Sequence, residues 1–93
     1  MPDRAYRAAP PGALRAEPLG ELTAIFDRRS MQTHLVVSPM PEMLNAMDDV
    51  PCDATALTAR LAAVFDLDGE GDTRAIIAER LGELAAMGLV ERA

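Results

Sequence analysis

The chain has no tryptophan and no lysine, one cysteine, one histidine, one tyrosine and two phenylalanines among its 93 residues. Each shortage removes a class of function. Cys52 alone forms no internal disulfide, and one cysteine with one histidine falls short of the four ligands of a usual zinc site. Nucleophilic catalysis needs a base beside its nucleophile. His34 is the sole imidazole, and an expected helix separates it from Cys52. Near the start of a strand, it reads as a solvent-facing or groove-lining side chain. So few aromatics offer no stacking platform for single-stranded nucleic acid. Nine arginines against 15 carboxylates leave a net charge of −6, which a phosphate backbone repels. No apolar stretch approaches the ~20 residues of a membrane span, and the N-terminus carries no run of secretory length. No membrane partner and a cytoplasmic location are therefore expected. Asp68-Gly69-Glu70-Gly71 is glycine-rich but acidic, which opposes phosphate binding. The loop from Asp66 to Gly71 has acidic spacing but lacks the twelve-residue ligand pattern and closing glutamate of a calcium loop. Catalytic residues, cofactors and metals are all expected to be none, and the chain reads as a non-enzymatic module.

What is present begins as short strands. Residues 1–12 carry Pro2, Pro10 and Pro11 without periodicity and read as an extended or disordered arm, with Tyr6 able to tack it to the remainder. Residues 13–93 are expected to form one domain. Residues 13–17 make a weak strand with Leu14 and Ala16 on one face, and Pro18-Leu19-Gly20 is a turn signal. Residues 21–27 make a second strand, with Leu22, Ala24 and Phe26 opposite Thr23 and Ile25. A polar turn at 27–31 leads to Gln32-Thr33-His34-Leu35-Val36-Val37. There Thr33, Leu35 and Val37 share one face, and His34 and Val36 share the other. Three short strands with hairpin-length connections predict an antiparallel meander whose last strand is an open edge.

The chain changes character at Ser38. Ser38 is expected to cap a helix that Pro39 opens, with Met40, Met43, Leu44 and Met47 as its apolar stripe. Asp53 is expected to cap a helix over 54–65, striped by Leu57, Leu61, Val64 and Phe65. Asp72 is expected to cap a third over 73–87, where Ile77, Leu81 and Leu84 form the core stripe and Ile76 and Ala85 widen it. Arg80 and Glu83 can pair on its outer side. Gly88 suits a left-handed helix end, with Leu89 folding back onto Leu84. The expected class is α+β: a three-stranded antiparallel sheet followed by a three-helix bundle, β-β-β-α-α-α, in a winged-helix-like arrangement.

In that order, the Ala9-Pro10-Pro11-Gly12-Ala13-Leu14 entry, Phe26-Asp27 before a serine-containing turn, Thr33-His34-Leu35, the short proline-started helix and Leu84-Ala85-Ala86-Met87-Gly88-Leu89-Val90 resemble the PqqD-like family. The resemblance covers about residues 6–92. It is narrower toward the PqqD family peptide chaperones of the HPr-kinase-related A system. The family often has glycine where this chain has Met31. Val37-Ser38 replaces the leucine-asparagine that ends the strand in PqqD itself, so a role in making pyrroloquinoline quinone is not implied. The resemblance implies a bacterial recognition element for ribosomally made peptides. Such a domain binds the leader of a precursor peptide as an added strand and delivers it to a modifying enzyme, here suggesting an HPr-kinase-related protein. Carried onto this chain, Thr33, His34, Leu35, Val36 and Val37 would supply the receiving strand. Ile76, Arg80 and Glu83 would supply the helical wall. The chain could act as a monomer or a homodimer. Two other readings share the expected fold: an assembly module that self-associates through the same edge, and a winged-helix nucleic-acid binder, which the charge opposes.

Overall fold

The computed structural model describes residues 4–10, 12–48, 50–64 and 71–93. The expected contributions of residues 1–3, Pro11, Asp49, Phe65 and the loop at 66–70, and of the Val64 and Asp72 side chains, lie outside the described residues. The elements in chain order are β1 (Tyr6–Ala8), β2 (Leu14–Leu19), β3 (Leu22–Asp27), β4 (Gln32–Val37), α1 (Met40–Ala46), α2 (Ala54–Val64), α3 (Gly71–Ala86) and β5 (Val90–Arg92). The class is α+β: β2, β3 and β4 form a three-stranded antiparallel sheet in that order, and the helices follow. Among the described residues, no helix is long and apolar enough to cross a membrane.

The first hairpin turns at Gly20 and Glu21, one residue later than the turn expected at 18–20, and Pro18 lies inside β2. The register explains why a proline is tolerated there. The Arg28 N–H donates to the Ala13 carbonyl at 2.9 Å, and these two residues stand directly opposite each other. Hydrogen-bonded pairs alternate along an antiparallel ladder, so Arg15 and Phe26, Glu17 and Ala24, and Leu19 and Leu22 are also bonded pairs. Pro18 falls between two of them, and its missing N–H faces away from β3. The second hairpin turns through residues 28–31, with Met31 at φ +61° and its N–H donating to the Asp27 carbonyl at 2.8 Å.

The sheet has one covered face. Ile25, Asp27 and Val36 are buried on it, and the helices lie against that side. Met40 and Met43 of α1, Leu57 and Leu61 of α2, and Ile77, Leu81 and Leu84 of α3 join Ile25 and Val36 in one core. The methionine stripe is therefore core. α1 begins at Met40, not Pro39, and no side chain caps its backbone. The Ser38 hydroxyl instead donates to the Glu42 carboxylate, so the expected cap is spent on a side chain one turn along. At α2 the expectation holds: Asp53 Oδ1 accepts the Ala56 N–H at 2.8 Å. α3 ends as its sequence predicts. Gly88 sits at φ +77°, its N–H donates to the Ala85 carbonyl at 3.0 Å, and the Leu89 N–H donates to the Leu84 carbonyl at 2.9 Å.

The N-terminal segment departs most from expectation. Tyr6–Ala8 is a strand, antiparallel to Val90–Arg92, with Tyr6 opposite Arg92. Its other side is also occupied. Tyr6 and Cys52 exchange two backbone hydrogen bonds of 2.8 Å, and the Ala8 N–H reaches the Asp48 carbonyl at 2.9 Å. Tyr6, Cys52 and Val90 are all buried. A second tie closes the same end. Arg29 holds the buried Asp27 carboxylate with Nε and Nη2 at 3.0 Å each, and Nη2 also donates to the Gly88 carbonyl at 2.9 Å.

Candidate functional site: the open edge of the sheet

β3 pairs with β2 through its even-numbered residues, so it pairs with β4 through Thr23, Ile25 and Asp27. Their bonded partners are Val36, His34 and Gln32. The N–H and C=O groups of Thr33, Leu35 and Val37 consequently point away from the sheet, along an edge that no described strand covers. The side chains of the same three residues lie on the uncovered face, and Leu35 and Val37 are exposed there. This edge can accept a strand without breaking any bond already made.

The other edge is β2, where Leu14, Ala16 and Pro18 face outward by the same alternation. Pro18 interrupts that row of donors, as edge strands that avoid pairing often do. A cavity of about 470 Å³ opens beside it, lined by Leu14, Ala16, Ile25, Leu44, Asn45 and Met47 among others. It is roomier than the cleft at β4, but its adjoining edge is the blunted one.

Beside the exit of β4 lies a cleft of about 240 Å³ between the start of α1 and the first half of α3. Pro39, Leu61, Ile76 and Ile77 give it apolar walls, and Ser38, Glu42 and Thr73 give it polar ones. Ile76 is 46% exposed while Ile77 is buried, so one isoleucine serves the cleft and its neighbour serves the core. Arg80 and Glu83 stand further along α3, outside the cleft lining, and bond to each other. The hydrogen bond that the Arg80 guanidinium donates to the Glu83 carboxylate raises the guanidinium above its ordinary value.

His34 and Val36 point to the covered face. Val36 is buried. His34 is half-buried, and its Nε2 is enclosed without a hydrogen-bond partner among the described residues. The structure therefore lines one edge with the backbone groups of Thr33, Leu35 and Val37, sets Ile76 in the cleft that begins at Ser38 beyond the end of β4, and leaves Arg80 and Glu83 outside that cleft's lining. The sequence reading missed Ser38, Pro39, Glu42, Leu61, Thr73 and Ile77 as cleft residues. Ser38 reads as a cap, Pro39 as a helix start, and Leu61 and Ile77 as parts of core stripes, and no periodic signal distinguishes a cleft wall from a core wall. Among the described residues, no cluster of three or more histidine, cysteine or acidic side chains could hold a metal ion. No protein-family model, curated protein or solved structure matches the chain.

Proposed function

We propose that this chain is a non-catalytic peptide chaperone, a PqqD-like recognition element with a winged-helix-like arrangement of sheet and helices. It binds the leader of a ribosomally made precursor peptide as a fourth strand on β4 and presents it to a modifying enzyme in the cytoplasm. One observation carries the reading: of the two sheet edges, the one at β4 offers three residues with outward-facing backbone groups, and an apolar cleft lies at its end. Strand addition draws affinity from main-chain hydrogen bonds and specificity from pockets for alternate side chains. An incoming strand would bond Thr33, Leu35 and Val37. Its inward side chains would lie along His34 and Val36 and reach the cleft beside Ile76. Arg80 and Glu83 offer charges of both signs to residues beyond the cleft. An HPr-kinase-related protein is the modifying partner to try first, because the sequence resemblance points to that setting.

The test is an amide NMR titration with the small peptides encoded beside the gene. Shifts concentrated at residues 33–37 and on the first half of α3 are the expected result. Binding whose shifts fall instead along β2 and the 470 Å³ cavity overturns the proposal.

A further inference from the structure

The face of the sheet turned away from the helices is uncovered and carries a cluster of exposed aliphatic side chains. The register lays it out in rows: Leu19, Leu22 and Val37; then Glu17, Ala24 and Leu35; then Arg15, Phe26 and Thr33. Arg28 and Met31 follow at the hairpin end. Leu19 is 53% exposed, Leu35 61%, Val37 49% and Met31 72%. Soluble monomers seldom leave so many neighbouring aliphatic side chains on one flat face.

We propose that this face is a two-fold interface with a second copy of the chain, two sheets stacked face to face. Such an interface must be complementary to itself. Take a two-fold axis lying in the face, across the strands at the middle of the sheet. It sets the row of Leu19, Leu22 and Val37 over the partner copy's hairpin end, where Met31 and the aliphatic stem of Arg28 meet it. It sets the second row over the third, so that Leu35 meets Thr33, Ala24 meets Phe26 and Glu17 meets Arg15. Glu17 and Arg15 are both exposed, and neither forms an ion pair within the described chain. The stacking supplies each with an opposite charge twice per dimer. That charge match favours a second copy as the occupant. Aligned sheets in sandwiches pack about 10 Å apart, which lets the two sets of aliphatic side chains interdigitate. The β4 edge lies beside this interface and stays open, so the dimer would carry two strand-accepting edges. The inference does not depend on the peptide reading.

Sedimentation equilibrium over a wide concentration series tests it on the full chain. The expected result is a reversible monomer–dimer equilibrium. Glu17→Arg and, separately, Leu22→Glu should each weaken it by at least about tenfold. The double exchange Arg15→Glu with Glu17→Arg should restore it, because the cross-dimer charges are again opposite. Circular dichroism confirms that each variant is folded, and Glu17→Arg on an exposed edge strand covers the case in which Leu22→Glu is not. A chain monomeric at every concentration overturns the proposal. So does a dimer indifferent to Glu17→Arg but broken by Thr33→Pro, which identifies pairing through the β4 edge instead. Peptide titration of the monomeric variants is scored separately, so either conclusion can fail without the other.

Discussion

Two residues hold unusual conformations or partners, and each makes a measurable difference. Met31 adopts φ +61° in the second hairpin, a region that costs an ordinary side chain about 1 kcal/mol. Its side chain is exposed, so no core contact offsets that cost. Met31→Gly is expected to raise stability by about 0.5–1 kcal/mol, read as a higher urea midpoint at unchanged slope in dilute protein. A lowered midpoint would mean the methionine side chain holds the turn. Asp27 is the other. The Arg29 side chain bonded to it holds its carboxyl below the usual carboxylate range, with the Arg29 N–H adding to the effect against the opposing cost of burial. A carboxyl lowered on folding adds stability that is complete above its unfolded value, about 3.9, and is lost as pH falls through the folded value. Arg29→Met removes the partner. The variant should be less stable at neutral pH, and its deficit against the wild type should narrow in acid. Urea midpoints at about pH 7 and about pH 2.5 check this. A deficit that stays constant would assign Arg29's contribution to the Gly88 carbonyl alone, because that hydrogen bond does not titrate in this range.

At the scale of elements, the edge strand separates pairing from folding one residue at a time. Val36 is buried, and its N–H belongs to the ladder with Thr23, whereas the Leu35 N–H faces outward. Leu35→Pro therefore removes a donor that only an added strand would use. It is expected to weaken peptide binding by tenfold or more with a modest loss of stability, while Val36→Pro should cost about 3 kcal/mol or unfold the sheet. Peptide titration and urea unfolding of both variants separate the two effects. If Leu35→Pro binds as the wild type does, the edge is not the site. Much of this element was legible beforehand. Alternation gave β4 its bounds and its two faces, and Asp53 and Gly88 gave α2 and α3 their ends. Three features were not. Pro18 reads as a turn until the ladder shows that its missing N–H faces outward. Ser38 reads as a cap until its hydroxyl is found on Glu42. The cleft brings Pro39 beside Ile76, residues 37 positions apart in sequence, and no local pattern joins them.

At the scale of the whole molecule, the part least visible in the sequence is the closure between its two ends. β1 is three residues long, and its partner β5 stands at the opposite terminus. A strand so short carries too little periodicity to announce itself, and the pairing that stabilises it is not local. Tyr6 was the one available signal. The closure has a built-in reporter. Cys52 is buried, both of its backbone groups bond Tyr6, and burial pushes its thiol above the ordinary range, with the Arg60 charge only partly opposing this. Thiolate is the reactive form, so a covered, raised thiol should label slowly. β1 contributes one buried residue, Tyr6, to the core that Ile25, Met43, Leu57, Leu81 and Leu84 build, and the helices supply much of the rest, so the end should be able to open with little of that core. A chain shortened to begin at Ala9 is expected to keep its helical circular dichroism while Cys52 reacts with a thiol reagent at least about tenfold faster than in the full chain. Equal labelling rates would show that contacts other than those with β1 suffice to cover Cys52. Loss of the helical signal would show that the β1–β5 closure is part of one cooperative unit with the core.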